Sequence, residues 1–314
     1  MSPSTLIRAT GAALSASLLL ASAPASAVVA PPPSAFTGLV ALGDSLSDMG
    51  RVFAASGGTF PAAPYFQGRF SNGPVAIEYV ASGLGLTLPG QFLNLAVGGA
   101  KTGLDGNAGL GTGMLSQLAG LQAALPGGQA DPGALYFVWG GANDLRGGVS
   151  MAETIGNLGN IVSTLHTMGA RKFLLPNLPD LGLTPEAREA GGSAQATFAS
   201  VVFNQQLAAA YGSLAAQWAD ETFYYFDAMG AQRAITTGAP GNGFSNVSSA
   251  CFKPTVPSLC GNPGSHLYWD QIHPTAAAHQ ILGNQMLAAV PEPQTLLMMS
   301  AGLLALLGLA RRRH

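Results

Sequence analysis

The chain has 314 residues, room for one large domain or two small ones, with 48% hydrophobic residues, 9% charged residues and 42 glycines. Between its apolar ends, residues 28–290 carry nine Lys and Arg against fourteen Asp and Glu, a net charge of −5. The absence of a basic patch or charge run argues against a nucleic-acid partner, and glycine-rich stretches without a GxGxxG or Lys-Ser/Thr pattern leave a nucleotide site unsupported.

The first 27 residues read as a secretory signal peptide: Arg8, an apolar run over 11–21, and Ala25-Ser26-Ala27 as a small-residue cleavage site. A proline-rich linker over 28–37 follows, and the folded domain is expected over 38–290. Short apolar runs at 39–42, 92–97, 135–139, 172–175 and 222–226 predict strands. Amphipathic stretches near 75–83, 114–124, 151–168, 194–218 and 275–289 predict helices. In the 194–218 helix, Phe198, Val201, Val202, Leu207, Ala208 and Leu214 are expected on the inward side. Strands alternating with helices point to an α/β fold with a parallel sheet covered on both faces.

Just past the first strand stands Gly43-Asp44-Ser45-Leu46-Ser47-Asp48. Ser45 is a candidate nucleophile, and it needs a base, an orienter for that base and donors for an oxyanion. Asp44 and Asp48 are expected to hold the turn around it. After the second strand, Gly98-Gly99 frees backbone N–H groups for a ligand oxygen. After the third, Asn143 offers a side-chain amide donor in Gly140-Gly141-Ala142-Asn143-Asp144. Ligands of open α/β sheets sit at these strand ends. Near the C-terminus, Asp270-Gln271-Ile272-His273-Pro274 spaces a carboxylate three residues before an imidazole, which suits an oriented general base.

Cys251 and Cys260 are the only cysteines. In an exported chain they are expected to form a disulfide, with no metal bound. His166 and His279 fall on predicted helices and are expected at the surface, whereas His266 is a weaker candidate for the cleft. The chain ends with Pro291-Glu292-Pro293, an apolar run over 295–310 and Arg311-Arg312-Arg313-His314. A short apolar helix followed by arginines reads as a stop-transfer arrangement, with the arginines on the cytoplasmic side.

Two resemblances follow from these residues. The last 24, over 291–314, are similar to the tripartite sorting tail of PEP-CTERM proteins. That implies processing by an exosortase-type enzyme after transient anchoring by a short transmembrane helix, then release to the surface or matrix of a Gram-negative bacterium. The ordered segments around Ser45, Gly98-Gly99, Asn143 and Asp270-His273 resemble the SGNH hydrolases, or GDSL esterase/lipase family. Gly68-Arg69-Phe70-Ser71-Asn72-Gly73, Leu178-Pro179-Asp180-Leu181-Gly182 and Phe203-Asn204-Gln205-Gln206-Leu207 strengthen that resemblance.

It implies a three-layer α/β/α sandwich on a five-stranded parallel, flavodoxin-like sheet, and a cofactor-free ester hydrolase. Ser45 would be the nucleophile, oriented with His273 and Asp270. Ser45, Gly99 (or its neighbour Gly98) and Asn143 would form the oxyanion hole. Leu42 and Arg51, where many relatives carry Phe and Asn, bear on specificity. The substrate class stays open between a lipid or simple ester, as for a lipase, phospholipase or acyltransferase, and acetyl groups on an exopolysaccharide. A catalytically silent matrix protein is the reading outside enzymes.

Overall fold

The computed structural model describes residues 35–238, 241–256 and 258–290. The signal peptide over 1–27 and the apolar tail over 295–310 lie outside the described residues, and among the described residues no helix is long and apolar enough to cross a membrane.

Five strands, β1 (Leu39–Gly43), β2 (Phe92–Asn94), β3 (Leu135–Trp139), β4 (Lys172–Pro176) and β5 (Thr222–Phe226), form one parallel sheet in the order β2-β1-β3-β4-β5. This is the flavodoxin-like order, which reverses direction beside β1 and opens a crevice at the strand C-termini there. Both faces are covered. Leu39, Ala41, Phe137 and Trp139 pack with Ile77, Val80, Leu282 and Met286 on one side. Leu42, Tyr136 and Val138 pack with Leu118, Ile161, Leu165 and Phe203 on the other. Alternate residues of β1 and β3 thus serve opposite layers, as the two-residue period of a strand dictates.

The helices are α1 (Arg51–Ala55), α2 (Ala76–Gly83), α3 (Met114–Ala124), α4 (Ala142–Arg146), α5 (Met151–Met168), α6 (Pro185–Glu189), α7 (Ser193–Gln217), α8 (Ala228–Thr237) and α9 (Ala276–Ala289). The short α1, α4 and α6 had no sequence prediction, since five residues carry too little periodicity to register. Regular β2 is also shorter than expected. Asn94 ends it by donating from Nδ2 to Ser47 O and accepting the Ala96 N–H, although Leu95 and Val97 N–H still donate to Ala41 and Gly43 of β1.

Three expectations need correction. The linker gives way to the domain before residue 37: Phe36 is buried, and Thr37 N–H donates to Gly133 O. In α7 the inward stripe is Ser200, Phe203, Asn204, Leu207 and Tyr211, while Phe198 is 71% exposed. The polar members face inward because they hold a loop: Ser200 Oγ accepts the Leu181 N–H, and the Asn204 amide pairs with both Leu178 N–H and O. His279 is fully buried between α9 and α2, where its Nδ1 accepts the Ala76 N–H at 3.2 Å. An imidazole that caps a neighbouring helix is more useful inside than at the surface.

After β5 the chain adds short pairings, β6 (Asn246–Ala250) with β9 (His266–Tyr268) and β7 (Phe252–Lys253) with β8 (Ser258–Leu259). Cys251 and Cys260 are joined by a disulfide. Cys251 and Phe252 N–H donate to Tyr268 and Trp269 O, which ties this subdomain to the segment just before Asp270.

Candidate active site

Ser45 sits on a tight elbow at the end of β1. Gly43 is required there, because a Cβ would stand 2.8 Å from Trp139 O on the neighbouring strand. Gln117 of α3 grips the Gly43 backbone through two hydrogen bonds, accepting its N–H at 2.9 Å and donating to its O at 2.8 Å. Asp44 O then accepts the N–H groups of Ser47 and Asp48, and its Oδ1 accepts the Leu46 N–H. The elbow is therefore held from the backbone outward, leaving the Ser45 side chain to present its hydroxyl.

That hydroxyl meets an imidazole. Ser45 Oγ lies 2.8 Å from His273 Nε2, and His273 Nδ1 lies 2.8 and 3.0 Å from the two Asp270 oxygens. The carboxylate accepts only, so Nδ1 carries the proton and Nε2 is free to accept from Ser45. Asp270 Oδ1 also accepts the N–H groups of Ile272 and His273, and Oδ2 accepts the Tyr65 hydroxyl at 2.7 Å. Burial by itself would raise the Asp270 carboxyl, but the His273 charge, these hydrogen bonds and Tyr65 outweigh it and hold the group below its ordinary range. Asp44 goes the other way. Burial pushes its carboxyl up to about 6 against the pull of the Leu46 N–H and His273.

Opposite the imidazole, the loop after β2 turns at Gly99, whose φ of 78° is left-handed. Gly98 N–H donates to Asp48 Oδ2 at 2.7 Å and is thereby occupied. The N–H groups of Gly99 and Ser45 make no hydrogen bond among the described residues. Asp48 also accepts the N–H groups of Gly50 and Arg51, so one carboxylate ties the start of α1 to the glycine loop. Asn143, in the first turn of α4, uses one amide hydrogen on Ala100 O at 3.0 Å and keeps the other. Asp144 locks α4 to the same loop by accepting the N–H and hydroxyl of Thr102.

Ser45, Gly99, Asn143 and His273 all border one cavity of about 560 Å³. Ser45, Asn143 and His273 also border a second of about 230 Å³, whose wall is mainly apolar: Leu46, Trp139, Ala199, Ala228, Ile235 and Leu282. The serine thus stands where two cavities meet. All five residues named from the sequence for the catalytic chain and the oxyanion come together there. His266 lies instead beside the disulfide, and the sulfurs it approaches are joined to each other, so the group offers no thiolate ligands. Tyr65, Gln117, Asp48 as the loop tie and Asp144 escaped the sequence reading in these roles. Asp48 and Asp144 stood within the segments singled out in the sequence, Asp48 as a turn-holding residue; Tyr65 and Gln117 gave no local signal.

A family model for the GDSL-like Lipase/Acylhydrolase matches residues 39–286, and a model for the PEP-CTERM protein-sorting motif matches 289–313. A phosphatidylcholine-sterol acyltransferase of Aeromonas hydrophila is 27% identical over 303 residues, covering 79% of this chain and 88% of that protein. A thermolabile hemolysin of Vibrio parahaemolyticus is 29% identical over 275 residues, covering 81% of this chain and 64% of its own length. Among solved structures, a lipolytic protein of the G-D-S-L family from Veillonella parvula aligns with a TM-score of 0.47 at 12% identity, over 80% of this chain and 96% of that one.

Proposed function

The chain belongs to the GDSL-like lipase/acylhydrolase family and is a hydrolase of that family, and from that premise we propose that it cleaves carboxylic esters through an acyl-enzyme on Ser45. The observation that carries this reading is the unbroken chain Ser45 Oγ–His273 Nε2, His273 Nδ1–Asp270, at 2.8 Å in each link. His273 takes the Ser45 proton as Oγ attacks the ester carbonyl. The oxyanion that forms is held by the N–H groups of Ser45 and Gly99 and by the Asn143 amide. Collapse breaks the bond to the alcohol oxygen, which receives the proton from His273. Water then gives a proton to His273, attacks the acyl carbon and returns Ser45 with its hydrogen. Asp270 holds the imidazole in the needed tautomer and stabilises it when protonated.

The apolar cavity of about 230 Å³ supports an acyl chain rather than an acetyl group as the part recognised. A dry 150 Å³ cavity is large enough for six ring carbons, so by proportion this one of about 230 Å³ takes roughly nine. The names of the two curated relatives, an acyltransferase and a hemolysin, favour the same lipid-ester reading. Release to an acceptor alcohol instead of water is the transferase variant of that reading. Deacetylation of an exopolysaccharide is favoured by the sorting motif, which carries its host toward the cell surface.

The sorting motif indicates export and membrane-anchored processing. We place the signal peptide at 1–27, the hydrolase domain from Phe36 to residue 290 and the tail at 291–314, with an exosortase-type enzyme as the processing partner and the cell surface or matrix as the destination. An ester series of rising acyl length, with an acetylated polysaccharide alongside, tests the function on wild type and Ser45→Ala. Hydrolysis that peaks at medium chains and vanishes in Ser45→Ala supports the proposal. Activity confined to acetyl groups moves it to the deacetylase.

A further inference from the structure

Between α1 and α2 the chain crosses the front of the site as a strap, and four of its side chains reach the loop that carries Asp270 and His273. Tyr65 OH donates to Asp270 Oδ2 at 2.7 Å, and the Phe70 ring lies 5.3 Å from the His273 ring. Ser71 Oγ donates to Pro274 O at 2.9 Å, and Asn72 Oδ1 accepts the Ala276 N–H at 2.8 Å. These contacts differ in kind. Ser71 and Asn72 hold backbone, and Phe70 packs on the imidazole. Tyr65 alone of the four meets the charged group. Its ring stands edge-on to Phe70, Phe252 and Trp269 at 6.2, 5.6 and 6.1 Å, so the direction of its hydroxyl is set by packing. Burial, and then the Asp270 charge, push the phenol far above its ordinary range, so it stays a donor.

We propose that Tyr65 is a positioning residue for the Ser45–His273–Asp270 chain, whose hydroxyl sets how strongly Asp270 stabilises a protonated His273. The proposal rests on the reading of those three residues as catalytic. Asp270 Oδ1 is filled by two backbone N–H groups and faces His273 Nδ1, while Oδ2 has His273 and Tyr65. A carboxylate divides its negative charge among its donors, so losing one leaves more for the others. Without the phenol hydrogen, Asp270 favours protonated His273, the form that cannot accept the Ser45 proton. The other titratable and charged groups near His273 are Asp44 on the elbow, Arg146 of α4 with its partner Glu186 of α6, and His279 of α9. None of them contacts the Tyr65 hydroxyl, and removing that oxygen leaves each in place.

The test is Tyr65→Phe, which keeps the ring and deletes the donor, compared with Ser71→Ala, which loosens the strap without touching the carboxylate. Two quantities are read: the NMR titration midpoint of His273 Cε1–H, and the acid limb of kcat/KM on p-nitrophenyl butyrate. In Tyr65→Phe both move to higher pH by about half a unit, with the near-UV circular dichroism of wild type. In Ser71→Ala the rate falls while both midpoints stay. A Tyr65→Phe midpoint that coincides with wild type overturns the proposal whatever the rate does, and so does an equal shift in Ser71→Ala. Hydrolysis retained by Ser45→Ala overturns the catalytic reading instead, and the NMR midpoint still decides whether Tyr65 acts on His273.

Discussion

Asn143 shows how much of the site hangs on single side chains. It has one amide hydrogen on Ala100 O and another with no acceptor among the described residues, and Asp144 beside it pins the helix that carries both. Asn143→Ala is expected to lower kcat by ~10²–10³, with little change in KM, because the donor acts on charge that develops only in the transition state. Steady-state kinetics check this. A KM effect alone would assign Asn143 to ground-state binding.

Ala199 tests the apolar cavity at the same scale, since its small side chain on half-exposed α7 leaves the space open. Ala199→Leu should depress hydrolysis of octanoyl esters roughly tenfold relative to acetyl esters. An unchanged ratio would separate the cavity from the acyl chain. Ser45, Asn143, Asp270 and His273 stood out in the sequence through residue type and position, and their proposed roles came from the ordered segments that resemble the GDSL family. Tyr65 did not, because its partner Asp270 is 205 residues away, and neither did the Gln117 grip on Gly43 across 74. Nor could the sequence tell that the Gly98 N–H is taken up by Asp48, which supports Gly99 as the proposed oxyanion donor.

At the scale of elements, α9 links the site to stability. Burial lowers the His279 imidazole to about 3 from its ordinary 6.5, with the nearby His273 charge adding to the effect. The unfolded chain therefore binds a proton that the folded one refuses between about pH 6.5 and 3. Stability rises with pH across that window and is lost as pH falls through it, by an amount on the order of a few kcal/mol. Asp44 opposes this. Its carboxyl, raised by burial to about 6 from 3.8, favours the folded state at the acid end of its window and loses that contribution as pH rises from about 3.8 to 6. Comparison with His279→Asn, which keeps an acceptor for Ala76 N–H but cannot be protonated, isolates the histidine. Denaturant melts of the variant should lack the rise that His279 contributes between pH 3 and 6.5, so that between about pH 3.8 and 6, where the two groups offset each other in wild type, the variant's stability falls with pH through Asp44 alone. Equal slopes would contradict the buried, neutral imidazole.

The strands were the most legible elements. Four of five match within one residue: β1, β3 and β4 are central, covered on both faces, and read as continuous apolar runs, while the edge strand β5 shows through its aromatic run Phe223-Tyr224-Tyr225-Phe226. The faces of helices were less so. Periodicity put Phe198 inside α7, where Ser200 and Asn204 face inward instead to hold the Leu178–Leu181 backbone, and His279, expected at the surface of its helix, is drawn inside by the Ala76 N–H.

Across the whole molecule, the parallel order β2-β1-β3-β4-β5 brings the ends of β1, β2 and β3 to one crevice, and the last loop closes on it with Asp270 and His273. The disulfide ties that closing segment: Cys251 N–H donates to Tyr268 O, two residues before Asp270. By the chain-entropy argument, closing so short a loop contributes about 2–3 kcal/mol, so reduction should lower Tm by roughly 5–10 °C. An unchanged Tm would show that the subdomain is held without it.

The proposed function stands on Ser45 as the residue that carries the acyl group. The most direct measurement is peptide mass mapping after rapid acid quench of wild type turning over p-nitrophenyl octanoate, with Ser45→Ala treated identically. An octanoyl adduct is expected on the peptide containing Ser45, with neither adduct nor turnover in Ser45→Ala. Turnover retained by Ser45→Ala, or an adduct on another residue, would contradict that role of Ser45.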